Sequence, residues 1–138
     1  MLLNLQAAKI LEPWADAADL FPSRLQVEGL GVFDPDIVAI VDGNPIFVEC
    51  ERGQGSRREL ADRKWEILAA ASGGQLHVFV PNRAVERRLT RDIGRWAEEN
   101  QASVVLRVCT VSVWMRDRPC PPWTSEHVFR SGAPFERG

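Results

Sequence analysis

The sequence predicts an α/β or α+β layer fold, and three observations carry that prediction. Stretches with apolar residues at helical spacing alternate along the chain with short runs rich in β-branched residues, a pattern that packs as layers of helix on sheet. Two of those runs, Ile37 to Val41 and Ile46 to Val48, flank Asp42-Gly43-Asn44-Pro45, a tight-turn signal for a hairpin. With 138 residues, 45% of them hydrophobic, the chain is long enough to bury the core of one compact domain.

Taken in order, Leu2 to about Leu11 carries apolar residues at helical spacing and stops at Pro13. Arg24 to Phe33 alternates around Leu25, Val27 and Leu30, with glycines that permit a bend, and is expected to be the first strand. The hairpin supplies the second and third. Arg57 to Ala71 reads as a helix with Ser56 as N-cap and Glu59 completing a capping box, ended by Ser72-Gly73-Gly74. Leu76 to Val80 is a buried strand stopped by Pro81, and Asn82 caps a helix through about Asn100 with Val85, Leu89, Ile93 and Trp96 on its apolar stripe. Ser103 to Trp114 forms a further strand or pair of strands. The core domain is therefore expected over residues 1–115, with 116–138 an irregular tail packed through Trp123 or extending from the core.

The hairpin carries the chemistry. A two-residue loop at Gly43-Asn44 sets Asp36 opposite Glu51, and Glu49, two positions away, points to the same face. Opposed Cβ atoms lie ~5 Å apart and diagonal ones roughly 7–8 Å apart. Val48, Cys50 and Ile46 point the other way, into a core. Three carboxylates on one patch suit Mg²⁺ or Mn²⁺, which prefer oxygen ligands; the same spacing also suits ordinary acids at strand ends. On the following helix, at about 100° per residue, Ile67, Leu60, Ala71, Leu68, Ala61 and Trp65 fill one apolar arc with Lys64 near its middle. Lys64 is one of only two lysines. Either its stem packs on the sheet while its ammonium reaches water, or it crosses to the carboxylates, where it stabilises a phosphate or a nucleophilic water.

Pro35-Asp36, a hairpin, Glu49-x-Glu51 and a following helix with a lysine together resemble the PD-(D/E)XK nuclease superfamily. The resemblance implies a restriction-endonuclease-like core of helix, three antiparallel strands, helix, strand, helix and strand. It also implies Asp36 and Glu49 as metal-binding acids, the Cys50 carbonyl as a further ligand, Glu51 where most members have lysine, and Lys64 as the lysine carried on the helix instead. Phe47-Val48-Glu49-Cys50-Glu51-Arg52-Gly53 is similar to the replication-relaxation family of plasmid and mobile-element proteins. The activity so implied is Mg²⁺- or Mn²⁺-dependent hydrolysis of DNA, with Asp36, Glu49, Glu51 and Lys64 catalytic. The rival is an inactive nuclease-like fold that binds DNA or docks a protein, since Glu51 in the lysine position also fits decayed catalysis.

The net charge of −2 does not announce a nucleic-acid binder, but arginines cluster beside the proposed site. Arg52 and Arg57 are expected to contact DNA phosphates. Arg83, Arg87, Arg88, Arg91 and Arg95 are expected to pair with acids on a solvated face. Besides DNA, a separate DNA-targeting protein is an expected partner, as no winged-helix segment precedes the core in these residues; the oligomeric state is left open, a homodimer included. Three cysteines without metal-ligand spacing fit a reducing cytosol. The first residues show neither a signal peptide nor a membrane span, so a cytoplasmic location is expected. Glu12 and Glu28 are weak candidates for outer carboxylates, His77 is expected in the core, and His127 falls in the tail. No Gly-rich phosphate loop, Ser/His/Asp grouping or zinc spacing is present.

Overall fold

The computed structural model describes residues 2–20, 22, 24–53, 58–117 and 120–130. The elements run α1 (Leu2–Leu11), β1 (Ala17–Leu20), β2 (Leu25–Val27), β3 (Gly31–Phe33), β4 (Ile37–Val41), β5 (Asn44–Cys50), α2 (Arg58–Ser72), β6 (Gln75–Val80), α3 (Arg83–Glu99), β7 (Val104–Thr110) and β8 (Ser125–Phe129). Six strands form one mixed sheet in the order β1-β4-β5-β6-β7-β8. The β5-β6 and β6-β7 pairs are parallel and the other three antiparallel. The fold is thus mixed α/β, as expected, with helices on both faces of the sheet.

Period-two alternation divides the side chains between two cores. Ile37, Ala39, Val48, Phe79 and Cys109 pack beneath Leu3, Ala7, Ile10 and Leu11 of α1. On the other face Leu76, Val78, Val80, Val104, Leu106 and Val108 pack with Trp65 and Leu68 of α2 and with Leu89, Ile93, Trp96 and Ala97 of α3. Asn82 caps α3, its Oδ1 accepting from the Val85 N–H at 3.0 Å. The expected Ser56 cap of α2 lies outside the described residues.

Four expectations are corrected. The segment from Arg24 to Phe33 is not one strand of the main sheet. Gly29 and Gly31 take φ of +82° and +122° and fold it into a separate β2-β3 hairpin packed on α2. The strand beside β4 is β1, whose Ala17-Ala18-Asp19-Leu20 carries no β-branched residue and is placed by pairing with β4. The tail is not wholly irregular: Ser125 to Phe129 forms β8, an antiparallel edge strand on β7, so the sheet extends past residue 115. Leu60, expected in the apolar arc of α2, is 59% exposed. Trp123 does pack into the α1 face, against Trp14, His77 and Phe79. Among the described residues no helix is long and apolar enough to cross a membrane.

Candidate functional site

The β4-β5 register differs from the expected one by two residues. Val41 pairs with Asn44, so the loop is Asp42-Gly43 rather than Gly43-Asn44. Asp42 and Gly43 have φ of +51° and +80°, the positive values that a type I′ hairpin turn requires at both central positions and that Asp-Gly meets readily. The continued ladder sets Asp36 opposite Glu49, not Glu51. Because the shift is even, every side chain keeps its expected face.

Asp36 and Glu49 lock the open end of this hairpin. The Asp36 N–H donates to Glu49 Oε2 at 3.0 Å, and the Cys50 N–H donates to Asp36 Oδ2 at 2.8 Å. In a strand the N–H and C=O of one residue leave on the same side, so the Cys50 carbonyl also opens toward Asp36. Burial keeps the Cys50 thiol above its ordinary range, leaving that carbonyl as its means of meeting a hard cation. Glu51 extends β5 by one bond, its N–H donating to the Phe79 carbonyl at 2.9 Å.

From α2, Lys64 reaches across to this patch. Its Nζ lies 3.6 Å from Glu49 Oε1, bonds Glu51 Oε1, and sits 4.5 Å from the Trp65 ring centroid. Its side chain is only 15% exposed. Glu49 is 4% exposed, and burial, then the neighbouring Asp36 charge, push its carboxyl up to about 8 against the opposing pull of Lys64. A carboxyl held so high takes a proton readily or gains from a second cation.

No family model, curated protein or solved structure matches this chain.

Of the expected site residues, the fold gathers Asp36, Glu49, Cys50, Glu51 and Lys64 at one end of the sheet. Arg52, exposed beyond the end of β5, turns to the α1 side, where its Nη2 donates to the buried Asn4 Oδ1 at 3.0 Å. Arg57 lies outside the described residues. Glu12 and Glu28 are exposed and stand in no ion pair with the patch among the described residues. The donors of the patch are all oxygens, the type a divalent hard cation takes. As they stand, the acids are turned to backbone N–H groups and to Lys64. Among the described residues no three His, Cys, Asp or Glu side chains form a ready metal cage.

Sequence reasoning missed a cleft of about 250 Å³ between α2 and α3 that opens onto Glu51 and Lys64 and is also lined by Arg58, Arg88 and Arg95. Gly53, at φ +91°, brings the loop after β5 so close to α3 that an added Cβ would lie 2.9 Å from Val85. The Arg88 Nη1 donates to the Gly53 carbonyl at 2.6 Å. Arg95 pairs with Asp62 and Glu99 as a solvated-face arginine does. The seven-residue spacing of Arg88 and Arg95 was the available signal that both line one face.

A second polar cluster joins α3 to the sheet edge. Glu86 accepts from Thr110 Oγ1 at 3.0 Å and Ser125 Oγ at 2.5 Å, and His127 Nε2 lies 3.3 Å away. Burial draws the Glu86 carboxyl upward, but these hydrogen bonds together hold it below its ordinary value. Ser125 bonds the carboxylate and not the imidazole, so the group fastens β8 to α3 rather than pairing a nucleophile with a base.

Proposed function

We propose that the chain is a metal-dependent nuclease-type domain of the PD-(D/E)XK kind that hydrolyses DNA phosphodiester bonds. The observation that carries this reading is the meeting of Asp36 just before β4, Glu49 of β5 and Lys64 of α2 on one face at one end of the sheet. The order α1, antiparallel β1-β4-β5, α2, β6, α3, β7 also suits that superfamily, with the β2-β3 hairpin inserted and β8 added. Asp36, Glu49 and the Cys50 carbonyl would hold Mg²⁺ or Mn²⁺, with Glu51 adding a ligand or orienting the attacking water. A divalent ion there supplies a lowered pKa for bound water and positive charge at the scissile phosphate. Lys64 offsets the charge that builds on the phosphate oxygens, and Trp65 beneath it keeps water from one flank. The likeness of Phe47 to Gly53 to the replication-relaxation family directs the activity toward replication or mobilisation of a plasmid or mobile element, with a separate protein choosing the target.

The test is cleavage of supercoiled and linear DNA with Mg²⁺ by wild type, Asp36→Asn and Glu49→Gln, with circular dichroism to establish that all three fold. Each variant is expected to lose activity on the order of 100-fold or more, the scale of removing one electrostatic stabiliser. Equal cleavage by all three removes the catalytic reading. One observation favours a second reading, a nuclease-like module that only binds: Lys64 already holds Glu51. Salt-dependent duplex binding by all three proteins, without cleavage in Mg²⁺ or Mn²⁺, would select it.

A further inference from the structure

Lys64 stands where a helix packed on a sheet ordinarily presents an apolar side chain, and its neighbours explain why a charge is tolerated there. Four of the six carboxylate oxygens of Asp36, Glu49 and Glu51 fall into two sets. Asp36 Oδ2 and Glu49 Oε2 are taken by backbone N–H groups. Glu49 Oε1 and Glu51 Oε1, the acceptors on the other side, both face the Lys64 ammonium, which is closed on its remaining flank by the Trp65 ring. With 15% of the lysine side chain, 6% of that of Glu49 and 22% of that of Glu51 exposed, water screens these charges weakly.

We propose that Lys64 is the resident counter-ion of the acidic patch: its ammonium occupies the place between Glu49 Oε1 and Glu51 Oε1, a divalent cation held by Asp36, Glu49 and the Cys50 carbonyl competes with it for Glu49, and the lysine thereby lowers the cation affinity of the site. This inference rests on the cation-binding reading above. A divalent ion and the ammonium repel each other across these carboxylates, so entry of the ion weakens the hold of Glu51 on Lys64 and favours its turning to face a phosphate. The lysine then serves in turn as placeholder and as phosphate contact, and the empty site is spared the repulsion among Asp36, Glu49 and Glu51.

Calorimetry with Mn²⁺ alone, without DNA and under anaerobic conditions at pH 8.5, separates this from a purely structural role. Burial and the Asp36 charge raise the Glu49 carboxyl, and an alkaline pH limits competition from protons there. Lys64→Met, which keeps the stem and removes the charge, is expected to bind Mn²⁺ about tenfold more tightly than wild type or better, a difference of about 1.4 kcal/mol. Lys64→Gln should do the same should the methionine fold poorly, whereas Lys64→Arg, which keeps the charge, should not gain affinity. Without the ion, Lys64→Met should melt below wild type and recover most of that difference with saturating Mn²⁺; a lysine needed only for packing would lose stability without recovering it. Equal or weaker Mn²⁺ binding by both neutral variants, with wild-type binding intact, overturns the counter-ion role alone. Failure of wild type and every variant to bind or be stabilised by Mn²⁺ overturns the cation-binding reading, and this inference with it.

Discussion

Single side chains at this site do work that their types alone would not announce. Glu49 is a strand residue whose two oxygens serve different partners, a backbone N–H on one side and an ammonium on the other. On the opposite face of the same sheet, His77 is buried against Trp123, its Nδ1 without a hydrogen-bond partner among the described residues. Burial, and secondarily the Arg107 charge, lower its pKa from an ordinary 6.5 to about 4. Because the folded value lies below the unfolded one, the unfolded chain takes up the proton first as pH falls. The stability this neutral imidazole contributes is therefore complete above pH ~6.5 and is lost as pH drops toward ~4. In urea denaturation, wild type should lose about 2–3 kcal/mol more than His77→Phe between pH 7 and pH 4.5. Parallel pH dependence in the two proteins would show that His77 does not titrate this way.

Among the elements, the hairpin decides the site. Its two strands are separately plausible from their β-branched runs, but which acid faces Asp36 depends on which two residues turn. The loop at Asp42-Gly43 places both in left-handed backbone, and Gly43 has no neighbour that an added Cβ would strike. Gly43→Ala is thus expected to destabilise through backbone strain alone, by about 1 kcal/mol, read as a lower urea midpoint with unchanged slope. A wild-type midpoint would mean that the turn is not held in that conformation. The helices were the most legible elements. The apolar stripe of α3 appears as expected in Leu89, Ile93 and Trp96, and Lys64 does face the sheet. The shortest strands were the least legible: β1 is four residues without β-branching, and β2 and β3 are three residues each. Segments this short carry too little periodicity to declare themselves.

At the scale of the whole molecule, one sheet separates two apolar layers, and the candidate site lies where β5 ends beside the parallel strands β5, β6 and β7. The end of the sheet beyond the carboxyl ends of parallel strands is where open α/β sheets commonly hold ligands. The two layers share every central strand, so they are expected to melt together. Phe79→Ala, in the α1 layer, should cost about 3–5 kcal/mol and Leu68→Ala, in the α2-α3 layer, about 2–5 kcal/mol. Both should leave a single transition, seen alike by tryptophan fluorescence and far-ultraviolet circular dichroism. Two separated transitions in either variant would show the layers to be independent.

The residue pattern by itself determined the class of fold, the helices, the central strands and the face on which each acid and Lys64 would lie. Those features follow from periods of 3.6 and 2, which are local properties of the chain. It did not determine the partner of Asp36, the direction of Arg52, the β2-β3 hairpin, or the recruitment of Ser125 to Phe129 as an edge strand. Those depend on pairing between distant segments, where a turn shifted by one position moves the facing residue by two, and where an edge strand is chosen by which neighbour offers it unpaired N–H and C=O groups. The acids of the candidate site kept their common face through the register change because an even shift preserves the face of every side chain, and it was the tertiary structure that brought Lys64 to Glu49 and Glu51 and set Arg52 against Asn4.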